Sequence, residues 1–225
     1  MNKSLNRGYF PDSQKLARVV AIHKSGPENE INNYRPVSIL PILSKIFERV
    51  VHNQLYGFLE KFKIPSDCQF GFRKKRSTIQ AVMNNLKFVY DNLDAGRVVV
   101  SFFMDFSKDF DCLDHHLLLG KLWHYGVRGI PYYWFKSYLE NRRQYVSIGN
   151  VVSQSAEITY GVPQGSIVGP LLFLIFINDF PRSNYFFKFN LYADDSTLTC
   201  TFQDKNPNYI KSKLETELRP IHHWL

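Results

Sequence analysis

Cysteine is scarce: Cys68, Cys112 and Cys200 are the three in 225 residues. So few, so scattered, they supply neither a disulfide framework nor a cysteine-based zinc site. They suit a reducing compartment in which each thiol is a small buried apolar group. Glycine (12) and proline (11) are too sparse for a collagen-like or low-complexity chain. Long apolar runs are missing too. The most apolar stretch, Ile167 to Ile177, includes Gly169 and Pro170 and covers about eleven residues, whereas a membrane span needs about twenty. Met1 to Arg18 alternates polar and apolar residues without the apolar h-region of a secretory signal.

What is present fits a folded domain. Hydrophobic residues make up 44% and charged residues 21%, and 19 Phe with 13 Tyr can fill a large core. Lys and Arg number 28 against 20 Asp and Glu, a formal charge of +8. That excess suits a polyanionic partner such as nucleic acid, although basic domains without one are common.

The coarse pattern mixes helices and strands without strict alternation, which predicts an α+β fold. Arg18 to Ile22 reads as a strand and Ser25 to Arg35 as a polar, turn-rich loop. Helical spacing runs from Pro41 to about Phe62, and Ser77 caps a second helix ending at Gly96. Val98 to Met104 is a near-continuous apolar run, the pattern of a central strand covered on both faces. Helices follow over about Asp114 to Tyr125 and Pro131 to Glu140. Gln144 to Ile148 and Ser155 to Thr159 then read as a hairpin around Gly149-Asn150. A buried helix is predicted over about Ser166 to Asn178. Strands at Phe187 to Tyr192 and Ser196 to Thr201 flank Ala193-Asp194-Asp195, and a helical tail runs from about Asn208 to Leu225.

Two placements defy the logic of burial. Asp105 ends the apolar strand, and Asp194-Asp195 sit between two more. Buried carboxylates are costly unless paired or bound to metal, and adjacent ones repel. A divalent cation relieves both penalties, and Mg²⁺ favours one or two carboxylates plus substrate phosphates. If the three converge, two ions could serve phosphoryl transfer. The bland alternatives are a solvated turn at Asp194-Asp195 and a helix cap at Asp105. Arg73-Lys74-Lys75-Arg76 is either a track for template phosphates or a solvated charge run.

Ordered motifs narrow the choice. Val20 to Gly26 (VAIHKSG), Asn33 to Ser38 (NYRPVS), Lys45 to Glu48 (KIFE) and Gln69 to Arg73 (QFGFR) come first. Asp105 to Asp111 (DFSKDFD), Gly161 to Ser166 (GVPQGS), Ile177 to Asp179 and Tyr192 to Asp195 (YADD) follow. In this order the chain resembles the reverse transcriptase domain of non-LTR retrotransposons over nearly its full length. The resemblance implies a right-hand polymerase with an antiparallel palm sheet packed on helices. Residues 1–96 would be fingers-like and 97–225 palm-like, interleaving over part of 126–165, and no thumb would follow. Asp105, Asp194 and Asp195 match the family's catalytic aspartates, with Asp105 and Asp194 the direct ligands of two Mg²⁺ ions, Mn²⁺ being an alternative. Lys24 and Arg35 match a triphosphate clamp. Phe110 matches the bulky gate against a ribose 2′-hydroxyl, and Gln164 lines the nucleotide pocket. The implied partners are an RNA template, a DNA primer and dNTP, with no membrane. The implied setting is nuclear or cytoplasmic.

Two departures bear on activity. The family reads Lys-Ala-Phe-Asp where this chain has Lys108-Asp109-Phe110-Asp111, and a carboxylate there would oppose an anionic nucleotide. The family also continues beyond Trp224-Leu225, so a fragment is expected. The readings left open are a working polymerase domain, an inactive nucleic-acid-binding remnant, and a remnant without a ligand.

Overall fold

The computed structural model describes residues 1–106 and 110–225. In chain order its elements are α1 (Asn2–Arg7), β1 (Leu16–His23), β2 (Tyr34–Ile39), α2 (Ile42–Lys61), α3 (Thr78–Asp94) and β3 (Val98–Asp105). Next come α4 (His115–His124), α5 (Ile130–Leu139), β4 (Arg142–Ile148), β5 (Val151–Val152), β6 (Ala156–Ile158) and α6 (Gly169–Ile177). The last are β7 (Lys188–Tyr192), β8 (Asp195–Phe202) and α7 (Pro207–Trp224). The class is α+β, as the mixed pattern predicts. Two compact units each use two stretches of chain: Met1–Ile64 with Lys108–Phe176, and Pro65–Ser107 with Ile177–Leu225. No helix among the described residues is long and apolar enough to cross a membrane.

The first unit holds a mixed sheet. β1 pairs antiparallel with β2 and parallel with β4, and β5 and β6 both pair antiparallel with β4. Helical spacing in α2 buries Val51, Leu55 and Leu59, and α4 and α5 bury Leu118, Leu122, Trp134, Phe135 and Tyr138. Phe10 meets Trp134 and Tyr138 edge-on, at ring-centroid distances of 5.4 and 5.1 Å.

Two sequence expectations fail in this unit. The loop predicted from Ser25 to Arg35 ends early, because β2 begins at Tyr34 and carries Arg35 opposite Ile22. Pro36 hides this strand from a propensity reading, yet β2 is an outer strand, where proline's missing N–H is tolerated. The hairpin's second arm is split into β5 and β6. Ser153 interrupts it, donating its N–H to the Val146 carbonyl while its Oγ accepts from the Val146 N–H.

In the second unit β3, β8 and β7 form an antiparallel sheet in that order. The prediction that Val98 to Met104 is a central strand is therefore wrong. β8 holds the middle and buries Ser196, Leu198, Thr199, Cys200 and Phe202, whereas β3 lies outside it with Phe103 79% exposed. Ser77 caps α3 as predicted, in a reciprocal pair with Gln80.

The packing of α3 inverts the usual arrangement. Its asparagines face the sheet: Asn84 donates to Asn190 at 3.3 Å, and Asn85 accepts from Thr199 at 3.2 Å. Its apolar stripe of Ile79, Val82, Met83, Leu86, Tyr90 and Leu93 is exposed. The thiols diverge as well. Cys200 is buried and Cys68 half-buried, but Cys112 is exposed, contrary to the expectation of three buried groups.

Candidate functional site

The acidic residues come together within the second unit. β7 and β8 are joined by Ala193-Asp194, a two-residue turn with Ala193 at φ 56°, the sign that a type II′ hairpin needs at its first central residue. β3 runs antiparallel to β8, and the last pair of the register sets Asp105 opposite Asp195. Directly opposed residues put their Cβ atoms about 5 Å apart on one face of the sheet. Asp194 is the next residue. Asp105 and Asp195 are exposed and Asp194 half-buried, so Asp105 does not end a deeply buried strand as expected.

These carboxyl groups feel one another. Partial burial pushes the Asp195 carboxyl above its usual range, and the negative charges of Asp194 and then Asp105 push it further. Among the described residues no Lys or Arg forms an ion pair with any of the three. Nor, among those residues, does any group of three His, Cys, Asp or Glu already stand as a metal cage. The three are neighbours at one sheet end. Their chemistry, hard oxygen donors without a counter-charge, fits a hard divalent cation.

The nucleotide candidates lie in the first unit. Lys24 and Arg35 are exposed at the loop end of the β1–β2 pair, where the Lys24 N–H donates to the Asn33 carbonyl at 2.8 Å. Gln164 donates through Nε2 to the Asp111 carboxyl at 3.1 Å, and its carbonyl accepts from the Ser38 N–H at 2.7 Å. A cavity of about 160 Å³ opens here, lined by Pro36, Ser38, Asp111, Tyr160, Val162 and Gln164. The Phe110 ring lies 5.3 Å from that of Phe173, and its carbonyl accepts from the Val162 N–H at 2.7 Å. Asp109 lies outside the described residues.

The basic segment belongs to the second unit and is partly spoken for. Arg73 donates to the Ser66 carbonyl at 2.8 Å, and Arg76 pairs with Asp67 at 3.3 Å while lying over the Phe70 ring. Lys74 and Lys75 are exposed.

Two residues that sequence reasoning passed over organise these features. Glu48, fully buried in α2, accepts from the Ile167 N–H at 2.6 Å and from the Ser44 hydroxyl at 2.9 Å, fixing the chain just past Gly161 to Ser166. Gln69 accepts from the N–H groups of Gly71 and Ala193, and donates to the Ala193 carbonyl. Both stand in motifs quoted above, so their positions were visible and their partners were not.

Comparison with known proteins gives the family and the fold. The family described as reverse transcriptase (RNA-dependent DNA polymerase) matches residues 22–225. A probable RNA-directed DNA polymerase from transposon BS of Drosophila melanogaster is 36% identical over 206 residues, covering 88% of this chain and 22% of the relative. The RNA-directed DNA polymerase from the mobile element jockey of the same fly is 33% identical, covering 94% and 23%. The chain thus spans about a fifth of the length of these curated relatives. Apo telomerase from Candida tropicalis superposes with a TM-score of 0.64 at 11% identity, over 94% of this chain and 48% of that one. That likeness extends to the fold.

Proposed function

The chain belongs to the reverse transcriptase (RNA-dependent DNA polymerase) family, of the type carried by non-LTR retrotransposons, and from that premise we propose that it extends a DNA primer on an RNA template by adding nucleotides from dNTP. The observation that carries this reading is the register that sets Asp105 opposite Asp195, one residue from Asp194, within one compact unit. Asp105 and Asp194 would hold the metal, with Asp195 beside them. Two Mg²⁺ ions, or Mn²⁺ in their place, would acidify the primer 3′-hydroxyl and neutralise the triphosphate.

The chain's own residues do the remaining work in this proposal. Lys24 and Arg35 pair with triphosphate oxygens as exposed, charge-assisted donors. Phe110, braced by Phe173, fills the space a ribose 2′-hydroxyl would need, which selects dNTP. Gln164, oriented by Asp111 and Ser38, lines the pocket beside the base and sugar. Lys74 and Lys75 contact template phosphates, and Arg73 and Arg76 support the turn that carries them. Fingers-like and palm-like roles would fall to 1–96 and 97–225, interleaving over part of 126–165.

Primer extension on an RNA template, with Mg²⁺ or Mn²⁺, tests the proposal. The chain should add dNTP, and Asp194→Ala should lower the rate by at least about 10³-fold, the scale of losing charge stabilisation at the reacting oxygens. Equal extension by the parent and Asp194→Ala would overturn the catalytic reading. Salt-dependent binding to an RNA–DNA hybrid without extension would support a remnant that binds nucleic acid.

A further inference from the structure

We infer that Gln69 is a positioning residue for the carboxylate hairpin, its side-chain amide standing in for a paired backbone and fixing the turn that carries Asp194 and Asp195. The inference rests on the polymerase reading above and adds to it a residue outside the acidic cluster. It begins with a backbone problem. Ala193 sits at φ 56°, a left-handed conformation unfavourable for a residue with a Cβ, and is only 5% exposed. At an open hairpin tip water would satisfy its N–H and carbonyl. Here both groups are buried and need partners from the protein.

Gln69 supplies both. Its Oε1 accepts from the Ala193 N–H at 3.0 Å and from the Gly71 N–H at 2.7 Å, and its Nε2 donates to the Ala193 carbonyl at 3.3 Å. Two N–H donors converge on one amide oxygen, which fixes which end of the side chain is oxygen and which is nitrogen. The side chain is 3% exposed. Aspartate, glutamate and serine cannot copy this geometry. The two carboxylates have no donor at neutral pH, and serine is too short to span both groups of Ala193.

The approach is built in from the backbone. Residues 68–70 lie alongside β7: the Leu191 N–H donates to the Cys68 carbonyl and the Phe70 N–H to the Leu191 carbonyl, each at 2.8 Å. Two residues further, the chain passes against the turn. A Cβ at Gly71 would lie 2.2 Å from the Ala193 nitrogen and 2.8 Å from its Cα, so only glycine fits. A segment more than 120 residues away in sequence therefore grips the turn by an amide and a bare backbone.

The 225-residue chain tests this with two variants and three readouts. Gln69→Met keeps the volume and removes all three hydrogen bonds, and Gly71→Ala displaces the turn from the other side. In each, hydrogen exchange at the Ala193 amide should rise at least about tenfold, while amides paired between β3 and β8 stay protected. Mn²⁺ affinity, read by calorimetry or paramagnetic resonance, should fall about tenfold. In primer extension kcat should drop more than tenfold, with the KM for dNTP within about threefold of the parent. A merely structural role would loosen the whole sheet and leave that split absent. Unchanged Ala193 exchange and unchanged Mn²⁺ affinity in Gln69→Met would sink the inference. A parent chain that neither binds Mn²⁺ nor extends a primer would remove the polymerase reading, and with it the catalytic purpose of the grip, while Ala193 exchange would still report whether Gln69 holds the turn.

Discussion

Two turns carry the polar groups of interest, and they are held in opposite ways. In the first unit Gly161 to Ser166 takes its own backbone strain on glycines, with Gly161 at φ 77° and Gly165 at φ 121°. Those glycines also clear the neighbouring chain, since a Cβ at Gly165 would meet the Ser38 carbonyl at 2.6 Å. The anchor behind that turn is an acidic side chain, Glu48. In the second unit the strained residue is an alanine, the glycine stands across from it at Gly71, and the anchor is a neutral amide. Charge accounts for the contrast. The Gly161 to Ser166 turn presents an uncharged Gln164, so an acidic anchor behind it adds no repulsion between side chains of the turn. The Ala193 turn presents Asp194 and Asp195 beside Asp105, where one more negative charge would raise repulsion further.

The largest effect should come from breaking the acidic anchor. Glu48→Ala removes a fully buried side chain and leaves the Ile167 N–H and the Ser44 hydroxyl without their partner. Unpaired buried groups and a new cavity together cost about 3–5 kcal/mol. Urea unfolding should show that loss, and Gln69→Met, which keeps the side-chain volume and opens no cavity, should show about 1–2 kcal/mol. If the two losses are equal, the contrast between the anchors fails.

Strain makes a second, smaller break. Gly165→Ala places a Cβ into the Ser38 carbonyl at a φ that side chains rarely adopt. The expected cost is about 2 kcal/mol. It should appear as a rise in the KM for dNTP, because the Ser38 N–H and the Gln164 carbonyl would separate. A change in kcat with constant KM would place Gly165 outside the nucleotide pocket.

What the sequence made legible follows from how far each signal reaches. The α2 helix, the Ser77 cap and the Tyr192 to Asp195 hairpin are local, and each is found where it was read, although Ile42 and Ile46 of α2 are exposed. Signals that need a partner were lost. An apolar run at Val98 to Met104 marks a strand but cannot say whether one neighbour or two will flank it. The period in α3 marks a helix but not the face that packs, and here the asparagines turn inward because Asn190 and Thr199 await them. The acidic trio was legible as unpaired charge in apolar surroundings. Gln69 was not, because an amide in a turn-rich segment has no periodicity and its partner lies at Ala193.

The smallest effect concerns Asp109, where the family carries alanine. The next residue, Phe110, accepts from the Val162 N–H, and the backbone at Phe110 and Asp111 leaves no room for a Cβ at Gly161. The Gly161 to Ser166 turn is thus braced by the chain that follows Asp109. A carboxylate about 5 Å from a nucleotide phosphate contributes about 3 kcal/mol of repulsion per pair of unit charges at an effective dielectric near 20. Salt and rotation toward water reduce this to about 1 kcal/mol, or about fivefold in rate. Asp109→Ala should therefore raise kcat/KM for dNTP about fivefold, and the gain should shrink as salt is added. A gain that ignores salt would mean that bulk, and not charge, separates this chain from the family pattern, and no gain would mean that Asp109 does not oppose the nucleotide.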